Sequence, residues 1–139
     1  MDNKKTIFIT GANRGIGLAM VKESLKNNFF VIGSYRKKSN TQDLMSLDSN
    51  NLKTIELDVT DEDAIKNIKS KINLKIDYLI CNAGINNGYG SFYNEDHTPK
   101  RMIDVFNVNV VVLPSVVKSC FSKKPLTGFA PIYAINFPY

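Results

Sequence analysis

Tryptophan is absent from these 139 residues, histidine occurs once and cysteine twice. Cys81 and Cys120 form no CxxC pair and no metal-ligand spacing, and His97 stands alone. A disulfide scaffold or a metal site is therefore not expected, and a reducing, cytoplasmic setting fits best. Long hydrophobic runs are also lacking. The most apolar region, 105–117, is interrupted by Asn107, Asn109 and Pro114, which reads as too short and too polar for a bilayer. Met1-Asp2-Asn3-Lys4-Lys5 runs straight into a short apolar segment without the pattern of a secretory leader, so a soluble chain with no membrane partner is expected. No repeat or low-complexity tract is present.

What is there is a globular composition: 43% hydrophobic and 22% charged residues, enough for one self-sufficient domain over 1–139. The net charge of +5 invites a nucleic-acid partner, but the cations are scattered. The densest cluster, Arg36-Lys37-Lys38, is three long, and a solvated surface accounts for most of the excess, so no nucleic acid is expected.

Short β-branched runs alternate with helical patterns. Thr6 to Thr10 is a continuous apolar run followed by a glycine-rich turn. Ile16, Ala19, Met20, Val21 and Leu25 then recur at helical spacing, closing at Lys26-Asn27-Asn28. Phe29 to Tyr35, Leu52 to Leu57, Ile76 to Cys81 and Pro131 to Asn136 read as further strands. Asp61-Glu62-Asp63 opens a helix with the apolar face Ala64, Ile65, Ile68 and Ile72. Another begins near Pro99 and runs to about Ser122. Strands apolar on both faces, alternating with helices, predict an α/β domain. Right-handed crossovers make it a Rossmann-type, doubly wound parallel sheet of order 3-2-1-4-5.

Thr10-Gly11-Ala12-Asn13-Arg14-Gly15-Ile16-Gly17 lies between the first strand and the first helix, whose free N–H groups would face a ligand. Gly11 supplies the turn, Gly15 lets backbone approach a pyrophosphate, and Gly17 permits close packing of helix on strand. A purely conformational role for the three glycines is the competing reading.

The TGxxxGxG spacing resembles that of the short-chain dehydrogenase/reductase family, and further matches follow in order over residues 5–124. Asn13 to Ala19 looks most like the carbonyl-reductase subgroup that includes C-factor and Sniffer. The resemblance implies cofactor-binding roles for Gly11, Asn13, Arg14, Gly15, Ile16 and Gly17. It places Asp58 and Val59 of Leu57-Asp58-Val59 at the adenine, with the Asp58 carboxylate accepting from the exocyclic amine; Asp58 could equally help to cap the helix at Asp61. Cys81-Asn82-Ala83-Gly84 resembles the NNAG of that family, with Cys81 in place of the first Asn. There Asn82 would tie neighbouring strands, Gly84 would keep backbone close to the nicotinamide ribose, and Asn82, Ala83 and Gly84 are implied to be cofactor-binding. Asn109 matches the active-site asparagine, whose main chain helps to hold a water of the proton relay; a structural helical Asn is the alternative.

An enzyme preferring NAD would carry Asp or Glu after the second strand. Ser34-Tyr35-Arg36-Lys37-Lys38 has no acid there, and Arg36 with Arg14 could bind a 2′-phosphate, which favours NADP(H) over NAD(H). Catalysis in the family implies a serine and a Tyr-x-x-x-Lys pair. None of the six tyrosines has a lysine four positions on, and Asn136-Phe137 stand where a serine pair is expected. Val112 also replaces a glycine three residues after Asn109, in the helix (99–122) that would pack against a second subunit of an oligomer. The expectation is a C-terminally truncated, dinucleotide-binding reductase with a divergent tail over 125–139, inactive alone. A carbonyl substrate is expected only where the other half is supplied. The competing expectation is a non-enzymatic interaction protein using the apolar C-terminal edge.

Overall fold

Alternate residues of a strand point to opposite faces, and here both sets are apolar. The computed structural model describes residues 4–86, 98–121 and 132–133. Strands β1 (Thr6–Ile9), β2 (Phe30–Tyr35), β3 (Leu52–Glu56), β4 (Tyr78–Cys81) and β5 (Ile132–Tyr133) form one sheet of order β3-β2-β1-β4-β5, and every pair is parallel. This is the order expected from the sequence. In β1, Ile7 and Ile9 face helices α1 (Gly15–Lys26) and α2 (Gln42–Met45) together with Val31, Leu44 and Ile80. Phe8 faces the other layer with Ile32, Leu79 and Cys81, under α3 (Glu62–Lys66), α4 (Ile68–Ile72) and α6 (Leu113–Phe121). The period of two thus fills two cores from one set of strands.

Several boundaries and faces depart from the sequence expectation. In α1 the buried residues are Gly17, Leu18 and Val21, while Ile16 and Ala19, expected on the inner face, are exposed. The close seat of Gly17 against the glycine turn sets the rotation of the helix, and that turns positions 17, 18 and 21 inward. The fourth strand begins at Tyr78, not Ile76. The helix opened by Asp61 divides at Asn67, whose Nδ2 donates to the Asp63 carbonyl (2.9 Å) and whose carbonyl accepts from the Ser70 hydroxyl (2.7 Å). Side-chain bonds of this kind compete with the helical ladder. The expected apolar face nevertheless survives, with Ile65, Ile68 and Ile72 buried across both pieces. Helix α2 has only four residues, too few for a periodic signal; the Gln42 N–H donates to Asn40 Oδ1 (3.0 Å), and Leu44 is fully buried.

The helix expected from Pro99 is three pieces. Thr98 caps α5 (Pro99–Phe106), accepting from the Arg101 N–H (3.3 Å). A π-helical turn, Asn107–Val111, follows, in which the Val112 N–H reaches back five residues to the Asn107 carbonyl (3.1 Å). Such π turns are rare and re-aim the side chains they carry. Taken as one segment, Pro99–Phe121 is by length and composition long and apolar enough to cross a membrane. Helices packed in soluble proteins meet the same test. The apolar C-terminal edge lies, apart from the backbone of β5, outside the described residues, as does the expected site of the missing serine.

Candidate functional site

A strand that turns at once into a helix has to bring backbone close to backbone, and the glycines mark where. Arg14 precedes α1 in an extended conformation and provides no side-chain cap. The first helical bond is Leu18 N–H to the Arg14 carbonyl (3.2 Å), so the N–H groups of Gly15, Ile16 and Gly17 lie ahead of the ladder. Gly15 has a left-handed φ of +54°, and a Cβ built there meets nothing within 4 Å. The helix start is therefore open to a ligand. A Cβ on Gly17 would instead fall on the Gly11 carbonyl oxygen and on Asn82 Nδ2, which excludes any side chain.

Asn82, at the end of β4, holds this arrangement. Its Nδ2 donates to the carbonyls of Thr10 (3.1 Å) and Gly11 (2.9 Å), and its N–H donates to Thr10 Oγ1 (3.0 Å). Two carbonyl acceptors fix which end of the amide is nitrogen. Its Oδ1 is buried without a partner among the described residues, a cost accepted to tie the two strand ends. The Ala83 N–H also donates to Thr10 Oγ1 (3.0 Å). Gly84 lies against the Asn109 carboxamide, which donates to the Ile85 carbonyl (3.0 Å) and accepts from the Ile85 N–H (2.9 Å). The π turn thus aims Asn109 at the chain leaving β4. Its side chain is used structurally, leaving only its main chain for the relay role that the resemblance implies.

Over the carboxyl ends of the strands lies an open groove of about 350 Å³. Of the residues singled out in the sequence, Gly11, Asn13, Arg14, Arg36, Asp58, Val59, Asn82, Ala83 and Gly84 line it. Gly17 lies packed beneath, Gly15 and Ile16 sit exposed at the helix start, and Asn109 stands behind Ile85. The groove also takes in Ser39, Leu57, Thr60, Ile85, Asp104, Asn107 and Val108. Asp104 and Asn107 could have been found from their spacing of three on a helix leading to Asn109; Ser39 carried no signal.

Asp58 Oδ1 accepts from both the N–H (2.9 Å) and the hydroxyl (2.7 Å) of Thr60. It does not cap α3; that role belongs to Asp61, whose Oδ1 accepts from the Asp63 and Ala64 N–H groups, both at 3.0 Å. Asn13 Nδ2 donates to the Asn40 carbonyl (2.9 Å), tying the glycine turn to the loop after β2. A second hollow of about 670 Å³ adjoins the groove there, lined by Arg14, Arg36, Lys37, Lys38, Asp43 and Asp58 among others. The sequence after β2 showed no acid, but the fold brings Asp43 in from the first turn of α2. Four cations still face two carboxylates.

Burial pushes the Cys81 thiol up to about 11, and burial together with the neighbouring Cys81 pushes Cys120 to about 12, so both stay protonated at neutral pH. Among the described residues no group of three His, Cys, Asp or Glu could hold a metal ion.

The family model described as short chain dehydrogenase matches residues 5–124. The chain belongs to this family. It is 35% identical to the oxidoreductase YusZ of Bacillus subtilis over 125 residues, covering 84% of this chain and 43% of YusZ. Among solved structures, a short-chain dehydrogenase/reductase from Burkholderia multivorans with bound NADP superposes with a TM-score of 0.77 at 26% identity, over 88% of this chain and 55% of that one. The carbonyl reductase Sniffer of Drosophila melanogaster does so with 0.76 at 25% identity, over 86% and 52%. Other similar structures hold NAD+ and NADPH. The chain spans about half the length, or less, of the relatives it matches.

Proposed function

We propose that this short-chain dehydrogenase family chain binds NADP(H) and carries the cofactor half of a carbonyl reductase. The observation that carries this reading is the uncapped, glycine-opened start of α1 with Arg14 and Arg36 beside it. The residues fit the group. A pyrophosphate would take the N–H groups of the first helical turn and gain from the helix dipole. A 2′-phosphate would meet the net positive hollow of Arg14, Arg36, Lys37 and Lys38, where guanidinium forks suit a phosphate. When bound, the cofactor supplies the hydride that reduces a carbonyl carbon. This chain's residues orient it: Asn82 holds the turn that receives the pyrophosphate, and Asn109 holds the Ile85 backbone at the other end of the groove.

The 139 residues hold no Tyr-x-x-x-Lys, so the chain by itself is expected to bind cofactor without reducing carbonyl compounds. Fluorescence titration with NADPH, run beside a reductase assay on simple ketones, tests both parts. Saturable binding without turnover is the expected result; turnover would refute the second part, and absence of binding the first. Changing Arg36 to Ala should weaken NADPH while sparing NADH.

One observation also favours self-association. Met102, Ile103, Phe106, Val110 and Val111 on α5 and the π turn are all about half exposed or more. A patch of this kind is a contact surface, and a second copy of the chain is the occupant in this reading. Light scattering that shows a monomer at high protein concentration would count against it.

A further inference from the structure

One hydroxyl stands in the cationic hollow without a partner. Ser39 is half-buried in the loop between β2 and α2, and it lines both the hollow and the groove that adjoins it. Its N–H closes a turn onto the Arg36 carbonyl (2.9 Å), while nothing among the described residues bonds its Oγ. Arg14, Arg36, Lys37 and Lys38 form no ion pair among the described residues either, although Asp43 and Asp58 share the hollow with them. Four cations against two carboxylates leave an excess of two positive charges. Few bonds hold this loop among the described residues. Besides that turn, the Asn40 carbonyl accepts from Asn13 (2.9 Å) and its side chain from the Gln42 N–H (3.0 Å), and Arg36, Lys37 and Lys38 are exposed.

Sequence and fold give this serine two properties at once. Arg36 precedes it by three residues, with Lys37 and Lys38 between, and cations just before a serine are what an acidic kinase cleft reads. A phosphate on Ser39 would carry about two negative charges into the hollow, enough to cancel its excess, among guanidinium groups suited to it. We propose that Ser39 is a phosphorylation site that switches the cofactor preference of this chain. In the step, Oγ attacks the γ-phosphorus of ATP held by a serine kinase. The Oγ–P bond forms as the bond to the ADP oxygen breaks, and the hydroxyl proton passes to a carboxylate of the kinase. The phosphoserine takes Arg14 and Arg36, which a 2′-phosphate would otherwise use, and repels that phosphate. It also supplies an anionic acceptor after β2, where an enzyme preferring NAD carries Asp or Glu for the ribose 2′-hydroxyl. NADPH is thus disfavoured and NADH is not. The proposal rests on the NADP(H) reading of the hollow and adds a control that the reading does not require.

The test treats the whole folded chain with ATP and the catalytic subunit of cyclic-AMP-dependent kinase, and locates the phosphate by mass spectrometry of peptides. Both forms are then titrated with NADPH and NADH. A chain with phosphoserine installed at position 39 during translation, its fold checked by far-UV circular dichroism, supplies the homogeneous modified form. Phosphate is expected at Ser39, and Arg36→Ala should slow its uptake several-fold. Phosphorylation should weaken NADPH by about 30-fold and change NADH by less than about threefold, so that the preference inverts. Phosphate found only elsewhere, on Thr41 for example, or nowhere, overturns the proposal. A phosphorylated chain that keeps its preference for NADPH does the same. In each of these cases the unmodified chain still binds NADPH, and the dinucleotide reading stands. An unmodified chain that binds neither cofactor, or both equally, overturns the NADP(H) reading and the proposal with it.

Discussion

At the β1–α1 turn, Asn82 alone ties three groups of the opposite strand end, and one extra carbon at Gly17 would collide with backbone. From Pro99 to Val111, on the other side of the same groove, no side chain is buried, and five large apolar ones stand largely in solvent. The first region is tied to its neighbours on each side, to β4 through Asn82 and to β2 and the loop after it through the Ala12 N–H and Asn13. The second faces the groove with Asp104, Asn107 and Val108 but turns Met102, Ile103 and Phe106 outward. The side-chain bonds of the glycine turn lie within residues 6–85, whereas the helical rim has a surface suited to a further contact. In the proposed function, binding falls to the first region and assembly to the second.

The comparison can be broken most sharply at Gly17. Gly17→Val should displace α1 from the turn and weaken dinucleotide binding by about 100-fold, close to 3 kcal/mol, measured by titration calorimetry. Asn82→Ala removes the Nδ2 donor from the Thr10 and Gly11 carbonyls and should cost roughly 2–3 kcal/mol in urea unfolding. A smaller effect is expected at Asp77, which joins the start of β4 to β1 by accepting from the Thr6 N–H (2.9 Å). Burial raises its carboxyl pKa, but the Thr6 bond and the Lys75 and Lys5 ammonium groups outweigh burial, so it lies below the ordinary carboxylate value. A carboxyl lowered in the folded state stabilises above its unfolded pKa, and that contribution fades as pH falls through the folded value. Asp77→Asn should lose about 1 kcal/mol at neutral pH and show a flatter acid limb in pH-dependent melting. In the rim, Phe106→Ser should change monomer stability by no more than about 0.5 kcal/mol. The same variant should shift size-exclusion elution towards a smaller species. A large loss of stability there would mean that the two regions are not built differently.

Much of this was legible in the sequence because strands apolar on both faces and a glycine-marked strand–helix turn leave few alternatives. The sheet order and the placement of Arg14 beside Arg36 follow from that pattern, while the tie from Asn82 was implied by the family resemblance. Other features had no periodic trace. The rotation of α1 is set by contact between Gly17 and a carbonyl, so Ile16 and Ala19 could not be told from core residues by spacing. Helix α2 is too short to show a period, which hid Asp43. The break at Asn67 and the π turn at Asn107 arise from hydrogen bonds made by particular side chains and carbonyls, against a hydrophobic pattern that runs on unbroken. Asp58 shows the limit from the other side: its two sequence readings were evenly matched, and the fold uses one carboxylate oxygen for Thr60 instead of for α3.

The central claim, that the first region alone forms an NADP(H) cradle, is tested most directly by titrating the 139-residue chain with NADPH and with NADH under identical salt. The account predicts saturable binding of both, with NADPH tighter by about tenfold, equivalent to roughly 1.4 kcal/mol from the cationic hollow. No binding at millimolar cofactor, or NADH bound as tightly as NADPH, would contradict it.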